Sequence, residues 1–129
     1  MNPILVIDDS AMMRKIILRL LAQAGIAVAN ALEASDGAEA ITLLGEHTPA
    51  LILCDINMPG ISGLELLARM REAKLAPGVP IVMITTETSQ TQVREAIALG
   101  ARGYIRKPFT VDDIKATIAP LLAAQLVVL

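Results

Sequence analysis

The stretch that most constrains this chain is residues 51–59, Leu-Ile-Leu-Cys-Asp-Ile-Asn-Met-Pro. Leu51 to Cys54 is a short apolar run bounded by turn signals, which reads as a buried strand. It delivers one carboxylate, Asp55, to its end, and Pro59 and Gly60 then break the chain. The end of a parallel strand lies at the edge of an open α/β sheet where ligands bind. A buried carboxylate without a partner is costly, so Asp55 needs a reason to be there. Taken alone it reads more readily as the cap of a turn, and the rest of the chain changes that balance.

Two further apolar runs and one short strand-like stretch end in polar groups. Ile4-Leu5-Val6-Ile7 ends in Asp8-Asp9, Ile81-Val82-Met83-Ile84 in Thr85-Thr86, and Gly103-Tyr104-Ile105-Arg106 in Lys107-Pro108. Between them lie helical signals. Ser10 caps a helix with Met13, Ile16, Ile17, Leu20 and Leu21 on one face, and Gly25 ends it. Asp36 and Glu39 have capping-box spacing before a helix over 37–45, Ser62 and Glu65 before one reaching about residue 74, and Ser89 and Gln92 before one ending at Gly100. Thr110 and Asp113 open the last helix, whose buried face carries Ile114, Ile118, Leu121 and Leu122. Pro120 should kink that helix or stop it near Ala119. Residues 27–33 read as a weaker edge strand.

Five strand–helix units in alternation predict a parallel sheet with helices on both faces. The 129 residues are expected to form one domain over 1–129. No apolar run approaches the roughly 18 residues of a membrane span, and no leader-like segment precedes the first strand. The single cysteine, Cys54, is expected to be a small buried hydrophobe in a reducing cytoplasm. A net charge of −2 without a basic block argues against nucleic-acid binding, and 2% aromatics offer no stacking platform. His47 reads as a solvated loop residue, and the methionines, Met12, Met13 and Met83 among them, as core filler.

Because parallel strands share their carboxyl ends, Asp8, Asp9, Asp55, Thr85 and Lys107 should meet on one edge. Three carboxylates there would repel and raise one another's pKa values. A divalent cation resolves the conflict, and all-oxygen ligands favour Mg²⁺. Lys107 adds a charge for a phosphate and Thr85 a hydroxyl. That set suits phosphoryl transfer, with a carboxylate as nucleophile. An aspartyl phosphatase would want an Asp-x-Asp pattern after the first strand, where this chain has adjacent aspartates. A flavin carrier would want a Ser/Thr/Gly-rich loop and aromatic flanks, which are missing there.

Val6-Ile7-Asp8-Asp9-Ser10, Asp55-Ile56-Asn57-Met58-Pro59, Thr85-Thr86-Glu87 and Lys107-Pro108-Phe109 together resemble the signature of response-regulator receiver domains, most nearly the stand-alone chemotaxis type. The resemblance covers essentially the whole chain. It implies a doubly wound, flavodoxin-like five-stranded parallel sheet of strand order 2-1-3-4-5. It implies that Asp55 accepts phosphate from a phosphohistidine, on a histidine kinase or a histidine phosphotransfer protein. It implies Mg²⁺ held by Asp9, Asp55 and the backbone carbonyl of Asn57, with Asp8 acting mainly through bound water. Lys107 would pair with the phosphoryl group or, before it arrives, with Asp55. Thr85 would bind a phosphoryl oxygen, and Tyr104 would be the aromatic switch. An output protein would dock on the face made by the fourth helix, fifth strand and fifth helix. Two positions depart from the usual pattern, Ser62 for an aspartate and Thr86 for a small residue. With Asn57 and Glu87, Thr86 flanks the site and should tune the phosphate's lifetime. No effector sequence lies within the chain, so output falls to a docking surface or to an effector domain on a longer regulator. The apolar tail 126–129 would suit an inter-domain helix, a dimer contact or a longer last helix.

Overall fold

The computed structural model of the chain describes residues 2–86 and 90–126, with side chains described as far as residue 123. Five strands form one sheet: β1 (Ile4–Ile7), β2 (Leu32–Ala34), β3 (Leu51–Asp55), β4 (Ile81–Thr85) and β5 (Gly103–Arg106). All pairings are parallel and the order is β2-β1-β3-β4-β5, as expected from the resemblance. Among the described residues six helices alternate with and follow them: α1 (Ala11–Gln23), α2 (Gly37–Glu46), α3 (Gly63–Glu72), α4 (Gln90–Ala98), α5 (Val111–Thr117) and α6 (Ala119–Leu126).

The core has two halves because side chains on a strand alternate between faces. Leu5, Ile7, Ile52, Cys54, Ile81 and Met83 pack with Ala40, Leu44, Leu66, Leu67, Met70 and Ala96 under α2, α3 and α4. Ile4, Val6, Leu51, Leu53, Val82, Ile84 and Ile105 pack with Ile17, Leu21, Ile114 and Ile118 under α1 and α5. The central strands are buried at every position, which is why they read as unbroken apolar runs. Cys54 lies in this core as expected, and His47 is exposed at the end of α2.

Caps set the helix starts. The side chains of Ser10, Asp36, Ser62 and Thr110 each accept a hydrogen bond from the backbone N–H three residues on. Among the described residues only the Thr110–Asp113 pair closes a reciprocal box; at Asp36 the Glu39 carboxylate accepts from the Ser35 hydroxyl instead. Ser89 lies outside the described residues, as do Glu87 and the tail from residue 127.

Four expectations need correction. The second strand spans Leu32–Ala34 and not 27–33. Ile26 and Val28 do pack against the core, but the Ala31 N–H bonds back to the Val28 carbonyl, and that turn delays the strand. Helix α3 stops at Glu72, short of residue 74, because Lys74 adopts φ 54°, a left-handed conformation that closes the helix end. The stripe on α1 is narrower than its periodicity implies: Ile17 and Leu21 are buried, whereas Ile16 is 38% exposed. Met12 is 74% exposed and is not core filler, although Met83 is.

Pro120 behaves as expected. Helix α5 ends at Thr117 and α6 begins at Ala119, so Pro120 sits in the first turn of a new helix, where no N–H is needed.

Candidate functional site

The sheet register places the polar strand ends. Asp55 stands opposite Ile84, so Thr85 lies one residue further along β4. The Asp8 N–H donates to the Ala34 carbonyl at 3.1 Å, and the Lys107 N–H to the Thr85 carbonyl at 2.8 Å. These bonds extend the ladder just past β1 and β5 and hold both residues at the rim. The Lys107–Pro108 peptide is cis.

Asp8, Asp9 and Asp55 each offer a carboxylate oxygen within 4.8 Å of the others. Asp8 and Asp55 are buried and Asp9 is exposed. Lys107 Nζ lies 3.1 Å from Asp8 Oδ2 and 3.2 Å from Asp55 Oδ2. The ammonium therefore bridges two carboxylates, Asp8 as well as the Asp55 that the resemblance implies. The other oxygens are also held. Asp8 Oδ1 accepts from the Ser10 N–H at 2.9 Å, and Asp55 Oδ1 from the Asn57 N–H at 3.2 Å.

Burial is the main reason the Asp55 carboxyl titrates above its ordinary value; the Lys107 ammonium and the Asn57 N–H oppose it, and Asp8 adds only a small upward push. The mutual repulsion expected of the carboxylates is present in the push from Asp8, but it is a lesser cause than burial. For Lys107, burial pulls the pKa down, but the two carboxylates together outweigh it and the net shift is upward. The neighbouring Cys54 thiol is pushed far up by burial and the adjacent carboxylates, and its Sγ donates to the Asp55 carbonyl at 3.3 Å. It is a packed thiol, not a nucleophile.

The donor set fits a hard divalent cation. Three convergent carboxylates carry more negative charge than one lysine neutralises, and neither imidazole nor thiolate faces them. Thr85 is fully buried at the end of β4. Tyr104 is outside the cluster, 48% exposed on β5. It lines an open cleft of about 400 Å³ with Arg106, Lys107, Pro108, Asp113 and Thr117. Lys107 belongs to both places, which makes it a physical link between the carboxylates and that cleft.

Two residues of the site escaped the sequence reading. Arg14, on the first turns of α1, donates from Nη1 to the Asp8 carbonyl at 2.7 Å and from Nε to Glu33 Oε1 at 3.0 Å. Its position on the helix leaving Asp8-Asp9 was the available signal. Gly63 donates its N–H to the Ile56 carbonyl at 2.8 Å. A Cβ there would meet the Asp55 carbonyl oxygen and come within 2.8 Å of Ile56 Cα. Only glycine lets α3 start this close to the loop carrying Asp55.

A doubly wound parallel sheet with a lysine-bridged acidic cluster at its carboxyl edge defines an α/β protein built to handle a phosphoryl group. Residues 4–119 match the response regulator receiver domain, and the chain belongs to that family. It is a response regulator of two-component signal transduction. The chain is 37% identical over 115 residues to a chemotaxis protein CheY of Pseudomonas aeruginosa, covering 89% of this chain and 91% of that one. It is 39% identical over 120 residues to a CheY homolog of Campylobacter jejuni, covering 92% and 91%. Among solved structures, chemotaxis protein CheY4 of Vibrio cholerae superposes with a TM-score of 0.81 at 33% identity, covering 94% of this chain and 98% of that one. Among the described residues no helix is long and apolar enough to cross a membrane.

Proposed function

We propose that the chain, 1–129, is a single receiver domain acting as a chemotaxis-type switch in the cytoplasm, with Asp55 as the phosphoacceptor. The observation that carries this reading is the buried Asp55 carboxylate bridged to Lys107 at 3.2 Å. In the reaction, an Asp55 oxygen attacks the phosphorus of a phosphohistidine on a histidine kinase or phosphotransfer protein. A P–O bond forms, and the donor imidazole leaves with the electron pair of the broken P–N bond. Asp8, Asp9, Asp55 and the Asn57 carbonyl would hold Mg²⁺, which supplies charge neutralisation for the phosphoryl oxygens. Lys107 exchanges one of its carboxylate contacts for a phosphoryl oxygen, and the Thr85 hydroxyl donates to another. Thr86 is exposed beside Thr85 and with Asn57 tunes access of the water that ends the signal.

The group is transferred and later lost at one residue, so the protein is a switch and not a metabolic enzyme. Movement of Thr85 and Lys107 toward the phosphoryl group would let Tyr104 turn inward, remodelling the α4–β5–α5 face for an output protein. The relatives named for chemotaxis, matched over most of their own length, support this output mode over a DNA-binding effector.

The test is incubation with Mg²⁺ and acetyl phosphate, followed by intact-mass measurement. The parent should gain one phosphoryl group and Asp55→Asn should gain none. Equal modification of the Asn variant would reject Asp55 as the acceptor.

A further inference from the structure

Asp8 is held at every polar group it owns. Its N–H, both carboxylate oxygens and its carbonyl all have partners, and the Arg14 bond to the carbonyl, at 2.7 Å, is the shortest. Asp9 differs. It is exposed, and among the described residues no hydrogen bond holds its carboxylate. Where Asp9 points is therefore set through the backbone, by the peptide that joins it to Asp8. The carbonyl of that peptide is the one Arg14 grips. Arg14 is itself fixed by Glu33 on β2, and its side chain is only 14% exposed.

We infer that Arg14 is a positioning residue for the cation site: it locks the Asp8–Asp9 peptide against the edge strand and so sets the direction from which Asp9 reaches the ion. The inference rests on the reading that Asp8, Asp9 and Asp55 hold Mg²⁺.

Two effects of Arg14 oppose each other. Its charge repels a cation, so deleting it would tighten binding if charge dominated. Its hydrogen bond orients Asp9, so deleting it would weaken binding if geometry dominated. Glu33, 3.0 Å away, already cancels most of the guanidinium's distant field. The carbonyl bond is short and charge-assisted. Geometry should win, and the sign of the change becomes the test.

The experiment is a MgCl₂ titration followed by amide NMR shifts, with melting curves in divalent-free buffer as a folding control. The proteins are the parent, Asp9→Ala, Arg14→Ala, Arg14→Lys and the charge-balanced double variant Arg14→Ala/Glu33→Ala. Arg14→Ala should bind Mg²⁺ about tenfold more weakly, the lower end of what losing a partner that orients a ligand costs. The double variant should be as weak as the single one, at low and at high potassium chloride alike. Arg14→Lys, which keeps the charge and can reach only one partner at a time, should recover part of the loss. Parent-like or tighter binding in the folded Arg14→Ala or double variant would overturn the positioning role. If Arg14→Ala did not fold, parent-like affinity in Arg14→Lys would overturn it. In either case, a parent that binds and an Asp9→Ala that does not would leave the cation reading standing. A parent that showed no Mg²⁺ response would overturn both together.

Discussion

At the scale of single residues, the site trades stability for chemistry. Burial raises the Asp55 pKa, so the folded state holds that proton more tightly than the unfolded chain does. Stability is then greatest at low pH with respect to this group. It falls as pH rises from the ordinary carboxylate value through the raised folded value, and it stays reduced at neutrality. In divalent-free buffer, Asp55→Asn should therefore gain on the parent in melting temperature as pH climbs through that window. A constant difference across the window would contradict the sign. Lys107 acts the other way. Its raised pKa means that its ion pairs contribute fully below the unfolded lysine value and are lost as pH rises through the folded one. Lys107→Gln leaves two buried carboxylates facing each other, and urea unfolding at neutral pH should show a loss on the order of 3 kcal/mol. Protonation of the carboxylates should shrink that loss as pH falls.

At the scale of elements, close approach and breaks do the positioning. Helix α3 begins against the backbone just after Asp55 because Gly63 has no side chain. Gly63→Ala forces a methyl group onto backbone atoms that cannot swing away, so the loop or the helix must shift. Destabilisation of about 2 kcal/mol is expected, with slower phosphorylation because Asp55 moves with the loop. Urea midpoints and acetyl phosphate kinetics check the two parts, and a parent-like variant in both would show that α3 tolerates the shift. Helix α1 shows how periodicity can mislead. Five apolar positions suggest one wide stripe, yet Ile16 is turned to solvent while Arg14, between Met13 and Lys15 in the chain, reaches the site.

At the scale of the whole molecule, the proposed switch runs from the acidic cluster across the sheet to the α4–β5–α5 face. Mg²⁺ bound only by the folded form should raise stability by about 2.7 kcal/mol at a hundred times its dissociation constant. An unchanged melting temperature at saturating Mg²⁺ would argue against the cation site. Signal transmission follows from differential affinity for two states. Thr85 is buried at the end of β4, next to β5, which carries the exposed Tyr104. Thr85→Ala should accept phosphate but pass little of it on. With a beryllium fluoride mimic, amide shifts over α4, β5 and α5 should shrink relative to the parent. Shifts of parental size would place the coupling elsewhere.

Much of the fold was legible in the chain because period and punctuation are local properties. Strand-like runs ending in Asp8, Asp55, Thr85 and Lys107, with caps at Ser10, Asp36, Ser62 and Thr110, determine alternating strands and helices. Parallel strands then bring those ends to one edge. The break at Pro120 is equally local, since proline lacks the N–H a helix interior needs. The order of the strands came by resemblance and not from the pattern. Tertiary structure alone decided which groups touch. Lys107 bridges Asp8 as well as Asp55, and Arg14 reaches both the Asp8 carbonyl and Glu33. These contacts depend on distances between elements far apart in the chain, which no local pattern encodes. Burial, too, is a property of the packed whole, and it makes desolvation, ahead of repulsion among carboxylates, the main influence on Asp55.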